Sequence, residues 1–338
     1  MGARARTYLA VFFGALCGGL ALLCSALLLL DAAGRLPPPY LSGRWELDLT
    51  LRQWRRDPPG RFDLLFAGSS VAFYGVDGRV VAAGLGPGVR FHDIGVLGAK
   101  VHQSRFWLGF VLDRHPEVRE VVFMSTVLDF EACPPATARL FDPAEGRDYL
   151  AGRWPELVHY LRHLDIVRLA RDVVEWPRRR ALGPDRLETV RLEPWGGQLL
   201  DVPRERVPEK IVHGVFPDPD PRCYAALAGL LGGLARRGVG VRFVLTPMRP
   251  GYLAEHDPDG RRLAAHRARL ETILAAAGVP FHDLHADLAL PEEAFFDAYH
   301  LRAPWVRRQS EVLVRLLLED LRGPLTARAT VEPPAGGR

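Results

Sequence analysis

The feature that most constrains the fold is an alternation of short apolar runs with longer stretches of helical periodicity. The runs are rich in β-branched and aromatic residues, and each is short enough to form one buried strand. They lie at Leu64–Ala67, Val89–Ile94, Val118–Ser125, Val239–Thr246 and Val279–Leu284. Strands that alternate with helices favour crossover connections, so we predict a mostly parallel five-stranded sheet with helices on both faces.

Four stretches between and after these runs carry apolar residues at helical spacing. They are Val101–Asp113, Tyr224–Arg237, Arg261–Ala277 and Trp305–Leu321. A long interruption over residues 134–221 separates the third and fourth strands and contains a predicted helix at Pro155–Trp176. Insertions of this size either carry specificity or merely elaborate the surface, and both interpretations stay open here.

The N-terminal segment Tyr8–Leu30 has 23 residues without a charged side chain, enough to span a hydrocarbon core as one helix. A cleaved signal peptide is the rival interpretation. The run is longer than a usual signal-peptide core and Asp31 lies at the only small-residue cleavage position, so we expect an uncleaved, single-pass membrane anchor. Basic residues flank it almost equally, and we expect the folded domain on the extracytoplasmic side.

These features divide the chain into four parts. We expect an anchor over residues 1–35, a proline-containing linker over 36–60, an α/β domain over 61–323 and a disordered tail over 324–338.

Charge and cysteine content exclude several classes of function. The 44 basic and 40 acidic residues are interspersed, and no basic stripe with interleaved aromatic residues is present, so we expect no nucleic-acid partner. Outside the anchor the cysteines are Cys133 and Cys223, which either form a bridge in an oxidising compartment or are two free thiols. Neither belongs to a Cys/His cluster, so no zinc-type site is predicted.

Two short motifs, about 230 residues apart, carry the chemistry. Gly68-Ser69-Ser70 follows the first apolar run, and an Asp297-x-x-His300 motif precedes the last helix. A serine hydroxyl needs an imidazole to take its proton and a carboxylate to orient that imidazole. The carboxyl ends of parallel strands meet at one edge of a sheet, so the two motifs together predict a Ser/His/Asp site.

In these motifs the chain resembles the SGNH (GDSL-like) hydrolase family, over roughly residues 61–321. The Gly-Asp-Ser block of that family matches Gly68-Ser69-Ser70, and its Asp-x-x-His block matches Asp297 and His300. The resemblance implies a flavodoxin-like three-layer α/β/α sandwich. It also implies that Ser70 is the nucleophile, His300 the base and Asp297 the orienting carboxylate, with no metal or organic cofactor.

The blocks that form the oxyanion hole match less well. The second block of the family, which ends in glycine, matches Asp93–Gly98 and implies that the N–H groups of Gly98 and Ser70 receive the oxyanion. In the third block, Gly-x-Asn-Asp aligns with Thr126–Asp129, so Leu128 replaces the asparagine donor. Loss of one such donor can cost about 10²–10³ in rate.

Three polar residues near these blocks are candidate substrate contacts. They are Asp129, Lys100 and His102. Asp129 could instead cap the segment that it begins, and the other two could be solvated loop and helix residues.

The N-terminal anchor, the Gly-Ser-Ser block and the long insertion together are similar to envelope SGNH-like proteins, among them alginate O-acetylation factors and the D-alanyl-lipoteichoic acid biosynthesis protein. This similarity implies an esterase or O-acyltransferase that forms an acyl-serine on a cell-envelope glycan or another extracytoplasmic ester, beside a membrane-bound O-acyltransferase partner. The alternative is a non-catalytic glycan-binding or scaffold subunit, which Leu128 favours. A phosphate-binding loop is a third and weaker hypothesis, because the Gly-Ser-Ser turn lacks both common phosphate-loop patterns.

Overall fold

The computed structural model describes residues 3–321, and a five-stranded sheet lies at the centre of the fold. Its strands are β1 Leu64–Gly68, β2 Phe91–Asp93, β3 Glu120–Ser125, β4 Gly240–Leu245 and β5 Phe281–Asp283. They lie in the order β2-β1-β3-β4-β5, and each neighbouring pair is parallel. The predicted parallel α/β class is confirmed.

Helices fill the connections between the strands and precede and follow the sheet. In chain order they are α1 Ala3–Ala32, α2 Trp45–Arg56, α3 Ser70–Phe73, α4 Gly78–Leu85, α5 Val101–Arg114, α6 Pro143–Leu150, α7 Glu156–Arg162, α8 Ile166–Ala181, α9 Glu209–His213, α10 Pro221–Arg236, α11 Pro250–His256, α12 Arg261–Ala276, α13 Leu284–Leu288 and α14 Ala303–Leu321. The four helices predicted from periodicity are α5, α10, α12 and α14. α10 begins earlier than predicted because Asp220 accepts a hydrogen bond from the Arg222 N–H and Pro221 fits the first turn.

Side chains that alternate along the strands point to opposite faces of the sheet. On one face, Phe66, Met124 and Val244 belong to a buried cluster that also includes residues of α4 and α14. On the other, α5 contacts β1 and α10 contacts β4, and the two helices pack against each other. This is the expected three-layer arrangement.

The chain forms two compact units. The sheet unit consists of the described parts of Gly60–Leu140, Gly183–Leu187 and Arg191–Arg338. The helical unit consists of the described parts of Met1–Pro59, Phe141–Leu182 and Glu188–Val190. The helical unit thus combines α1 and α2 with three helices from the long insertion, α6, α7 and α8.

The helical unit is held together by ion pairs at the C-terminal end of α1. Asp31 pairs with Arg52 at 2.5 Å and with Arg56 at 2.9 Å, and Glu156 pairs with the same two arginines at 3.0 and 3.1 Å. An apolar cluster lies nearby, in which Leu27 of α1 packs with residues of α7 and α8. Contacts therefore join segments that are more than a hundred residues apart.

Three predicted segments differ from the structure or lie outside its described part. The predicted linker, residues 36–60, contains α2. The predicted helix Pro155–Trp176 is two helices, α7 and α8, because Asp165 accepts a hydrogen bond from the Arg168 N–H and starts a new helix. The predicted disordered tail lies outside the described residues.

Cys133 and Cys223 form a disulfide, which settles the two interpretations left open by the sequence. The bridge joins the segment after β3 to the first turn of α10, with the Cα atoms 5.2 Å apart. The cysteines of α1, Cys17 and Cys24, are free.

The turn after β1 generates a prediction about stability. Gly68 has a φ of +145°, and a Cβ atom there would lie 2.0 Å from the Met124 carbonyl oxygen. We expect Gly68→Ala to lower the free energy of unfolding by about 3 kcal/mol or more, because it adds backbone strain and a backbone clash. Chemical denaturation in detergent, followed by tryptophan fluorescence, measures the change.

Gly260 provides the matched control. Its φ is +66°, yet a Cβ atom there would have no neighbour within 4 Å. Gly260→Ala should therefore cost only about 1–2 kcal/mol, from backbone strain alone. Equal losses in the two variants would contradict the proposed close approach of β1 to β3.

Candidate active site

The turn between β1 and α3 places Ser70 at the edge of the sheet. β1 ends at Gly68, Ser69 is the N-cap of α3, and Ser70 is its first residue. The Ser69 hydroxyl accepts a hydrogen bond from the Val71 N–H at 3.5 Å and is buried. Ser69 therefore supports the turn, while the neighbouring Ser70 presents its hydroxyl at the site.

The loop before α14 brings an imidazole and a carboxylate to Ser70. The His300 Nε2 atom lies 2.7 Å from the Ser70 Oγ atom, and the His300 Nδ1 atom lies 2.7 Å from the Asp297 Oδ2 atom. An ionised carboxylate only accepts hydrogen bonds, so the Nδ1–H group donates to Asp297. Nε2 is then the acceptor for the Ser70 hydroxyl proton, as a general base must be.

Asp297 is fixed by the backbone of its own loop. Its Oδ1 atom accepts hydrogen bonds from the N–H groups of Tyr299 and His300, at 2.9 and 2.8 Å. The carboxylate is buried, with 5% of the residue exposed. Both of its oxygens are therefore engaged, and it has little freedom to turn away from the imidazole.

Two aromatic rings, neither predicted from the sequence, position His300. Phe296 stacks on the imidazole with ring centroids 5.4 Å apart, and Tyr74 meets it edge-on at 5.5 Å. Tyr74 lies one helical turn after Ser70, and Phe296 directly precedes Asp297. This closeness to the two motifs in sequence was the signal that could have identified both rings.

The second half of the long insertion supports this loop. Phe296 belongs to a buried cluster with Leu200, Val202, Val207 and Val212. The Ala303 N–H donates to the carbonyl of Leu200 at 2.8 Å, next to the start of α14. Residues 200–212 therefore pack behind the loop that carries Asp297 and His300, a role that the sequence left open.

The turn after β2 lies beside Ser70. The Val96 N–H donates to the Gly68 carbonyl at 3.1 Å, and a Cβ atom on Gly95 would lie 2.4 Å from the Phe73 nitrogen. Gly98 ends this turn with a φ of +63° and is exposed. Within residues 3–321 neither the Ser70 N–H nor the Gly98 N–H has a hydrogen-bond acceptor.

The third predicted block supplies no side-chain donor at position 128. Leu128 lies in a short 3₁₀ turn after β3, with its side chain partly buried. Its carbonyl accepts a hydrogen bond from Lys100 Nζ at 2.8 Å. The backbone at this position is therefore held in place, and the side chain contributes an apolar surface.

The three candidate substrate contacts all have partners within the protein. The buried Asp129 carboxylate accepts hydrogen bonds from Ser125 and Thr126, and burial raises its pKa to about 6. Lys100 also pairs with Glu131 at 3.1 Å. His102 Nε2 lies 3.1 Å from the Thr137 Oγ1 atom. Asp129 is the third residue of the 3₁₀ turn after β3, and its carboxylate reaches back to the Thr126 N–H at the start of the turn. None of the three is brought to Ser70 by a described contact.

No family model matches the chain, and no curated protein matches it. Solved structures do. A proposed acylhydrolase from Bacteroides fragilis aligns with a TM-score of 0.40 at 10% identity, covering 81% of this chain and 97% of its own. An inhibitor-bound aryl esterase from M. smegmatis aligns with a TM-score of 0.37 at 13% identity, covering 77% and 99%.

A variant of an acetyl-xylooligosaccharide esterase from Geobacillus is a third similar structure. It aligns with a TM-score of 0.37 at 14% identity, covering 81% of this chain and 96% of its own. Likeness at this level concerns the fold alone.

Asp93, the last residue of β2, generates a pH prediction. Its Oδ1 atom accepts from the Gly95 N–H at 2.7 Å, while Oδ2 is buried and has no partner among the described residues. Burial raises the pKa of Asp93 from 3.8 to about 7. The folded state therefore binds a proton on Asp93 more tightly than the unfolded chain does. The stability that protonated Asp93 contributes is fully present below about pH 4 and is lost as the pH rises to about 7.

We expect Asp93→Asn to remove this loss. At pH 8 the variant should have a free energy of unfolding about 2–4 kcal/mol above that of the parent, and the two should converge near pH 4. Denaturation curves across this pH range measure the difference. Asp63→Asn is the control. Arg90 lowers the pKa of Asp63, so the ionised carboxylate stabilises the fold at neutral pH, and Asp63→Asn should lower the free energy of unfolding at pH 8 rather than raise it. A parallel pH profile in Asp93→Asn and the parent would contradict the assignment.

Proposed function

We propose that this protein is a serine esterase that cleaves carboxylic esters through an acyl-Ser70 intermediate. The observation that carries the proposal is the chain of two 2.7 Å contacts from Ser70 through His300 to Asp297. Three residue types in the required order, with the imidazole oriented by a buried carboxylate, are what nucleophilic catalysis by serine needs.

The reaction proceeds in two halves. Ser70 Oγ attacks the acyl carbonyl as its proton passes to His300 Nε2, and the developing oxyanion accepts hydrogen bonds from the N–H groups of Ser70 and Gly98. The tetrahedral intermediate collapses with cleavage of the C–O bond, and His300 gives the proton to the leaving alcohol. A water activated by His300 then attacks the acyl-serine, releases the carboxylic acid and returns the proton to Ser70.

A carbohydrate hydroxyl in place of that water would make the same acyl-enzyme an O-acyltransferase. The acceptor decides between the two reactions, and both use the same three side chains. Leu128 favours a second candidate, a glycan-binding or scaffold subunit without catalysis, because one expected oxyanion donor is absent. The aligned Ser70, His300 and Asp297 side chains argue for the enzyme.

The protein is further proposed to be anchored in a membrane by α1, with the catalytic domain on the extracytoplasmic side. Residues 4–32 form one helix that is long and apolar enough to span a bilayer. The Cys133–Cys223 disulfide supports an oxidising compartment. An ester on a cell-envelope glycan is the proposed substrate class in that location.

Serine labelling tests the mechanism. The purified full chain in detergent is treated with a fluorophosphonate and assayed with p-nitrophenyl acetate. We expect labelling and turnover in the parent and loss of both in Ser70→Ala, with turnover reduced by about 10⁴-fold or more. His300→Ala should lose turnover to a similar degree because the proton acceptor is missing.

The neighbouring serine is the matched control. Ser69→Ala should keep the label on Ser70, since Ser69 caps α3 and does not contact His300. Folded protein that neither reacts with the fluorophosphonate nor turns over the ester would contradict the esterase proposal and favour the scaffold subunit.

The missing oxyanion donor generates another prediction. Leu128→Asn places an amide donor where the side chain is now apolar, and we expect kcat for p-nitrophenyl acetate to rise by about tenfold or more. Leu128→Met, which keeps the apolar character, should leave kcat unchanged. An unchanged kcat in Leu128→Asn would show that the two backbone N–H groups already stabilise the oxyanion fully.

A further inference from the structure

Helix α8 exposes a row of apolar side chains, which we call its outer apolar face. It consists of Ile166, Val167, Ala170 and Val174. Val167 is 82% exposed and Ile166 68% exposed. A contiguous apolar surface on a helix that is otherwise rich in arginine indicates a binding surface more than an ordinary solvated face.

This face continues the surface by which α8 packs in the helical unit. Residues on a helix advance by about 100°, so Leu169 and Val173 adjoin Ile166 on the helical wheel. Both belong to the apolar cluster that includes Leu27 of α1. The packed and exposed residues form one apolar arc of about 160°, and the exposed part therefore lies beside α1.

The position along α1 at which α8 packs indicates the depth of this contact in a bilayer. Leu23 and Leu30 of α1 pack against the same cluster. At about 1.5 Å per residue, Leu23 lies roughly 12 Å before Asp31, the first charged residue after the apolar run. If the run crosses a hydrocarbon core of about 30 Å, the cluster lies at the depth of the lipid headgroups and upper acyl chains.

The charged residues of α8 fit the same placement. Arg171 and Arg178 border the exposed arc, and both are largely exposed. On the opposite side, Tyr40 donates to Asp172 at 2.9 Å and Arg168 lies over the Tyr40 ring at 3.9 Å. That side is covered by the protein itself, whereas Ile166, Val167, Ala170 and Val174, the outer part of the arc, are exposed. Arginines at the border of an apolar face suit anionic headgroups.

We propose that the outer apolar face of α8 lies in the headgroup region of the bilayer that α1 spans, with a preference for anionic phospholipid. The inference rests on the proposed anchoring by α1 and adds a second membrane contact. α8 is then an interfacial helix, and the helical unit contacts the lipid through α8 as well as through α1.

Environment-sensitive labels on three exposed valines test the proposal in the full chain. Cys17→Ser and Cys24→Ser remove the free thiols, and the disulfide stays. Val167→Cys, Val11→Cys or Val215→Cys is then labelled with the fluorophore NBD. Val11 reports on α1, Val167 on α8 and Val215 on the sheet unit. The proteins are reconstituted into vesicles of phosphatidylcholine with phosphatidylglycerol, and of phosphatidylcholine alone.

We expect the label at Val167 to show a blue-shifted emission, loss of quenching by aqueous iodide, and quenching by lipids that carry a spin label near the headgroup. The label at Val11 should be quenched by spin labels deeper in the bilayer, and the label at the exposed Val215 should be quenched by iodide. The blue shift at Val167 should be larger in vesicles that contain phosphatidylglycerol, because arginines border the face.

The controls separate the two ways in which the idea can fail. If Val11 is quenched by lipid spin labels and Val167 only by iodide, the anchor stands and the inference about α8 is overturned. Protection of Val167 from both quenchers would mean that protein covers the face, as in a pair of chains, and would also overturn it. If Val11 itself reports water, the proposed anchoring fails and this inference with it.

Discussion

The arrangement of the candidate site depends on how closely the backbone of β1 approaches that of β3 at Gly68. The chain leaves the strand there with a φ of +145°, and there is no space for a Cβ atom against the Met124 carbonyl. Only this exit directs Ser70 into the first turn of α3, with its N–H free and its hydroxyl toward the loop before α14. A residue with a side chain at position 68 would displace Ser70 from His300.

The remaining parts of the site come from distant segments that are positioned by packing. The turn after β2 is drawn against α3 by the bond from Val96 to Gly68 and by the small size of Gly95. The loop with His300 is supported by Phe296, which packs on residues of the insertion. The sheet thus supplies the edge, and side-chain packing sets the distances at which the proton can move.

Much of this could be predicted from the sequence. The five strands follow from short apolar runs, and the pairing of Ser70 with His300 follows from the rule that strand ends converge in a parallel sheet. The helix α2 could not be placed, because its stability comes from tertiary contacts such as that between Asp31 and Arg52. The break between α7 and α8 does have a local signal, the capping residue Asp165, which the apolar periodicity of the segment obscured. The roles of Tyr74 and Phe296 were missed for the same reason, since an aromatic ring becomes a positioning residue only through its neighbours.

The disulfide between Cys133 and Cys223 links two distant parts of the chain covalently. The two cysteines are 90 residues apart in sequence, and the helices from α6 to α9 lie between them. A single peptide-bond cleavage anywhere in that interval leaves both halves of the chain linked. Without a reducing agent, a protein nicked there keeps the mass of the intact chain apart from one water, and Ser70 stays covalently joined to the half that carries Asp297 and His300.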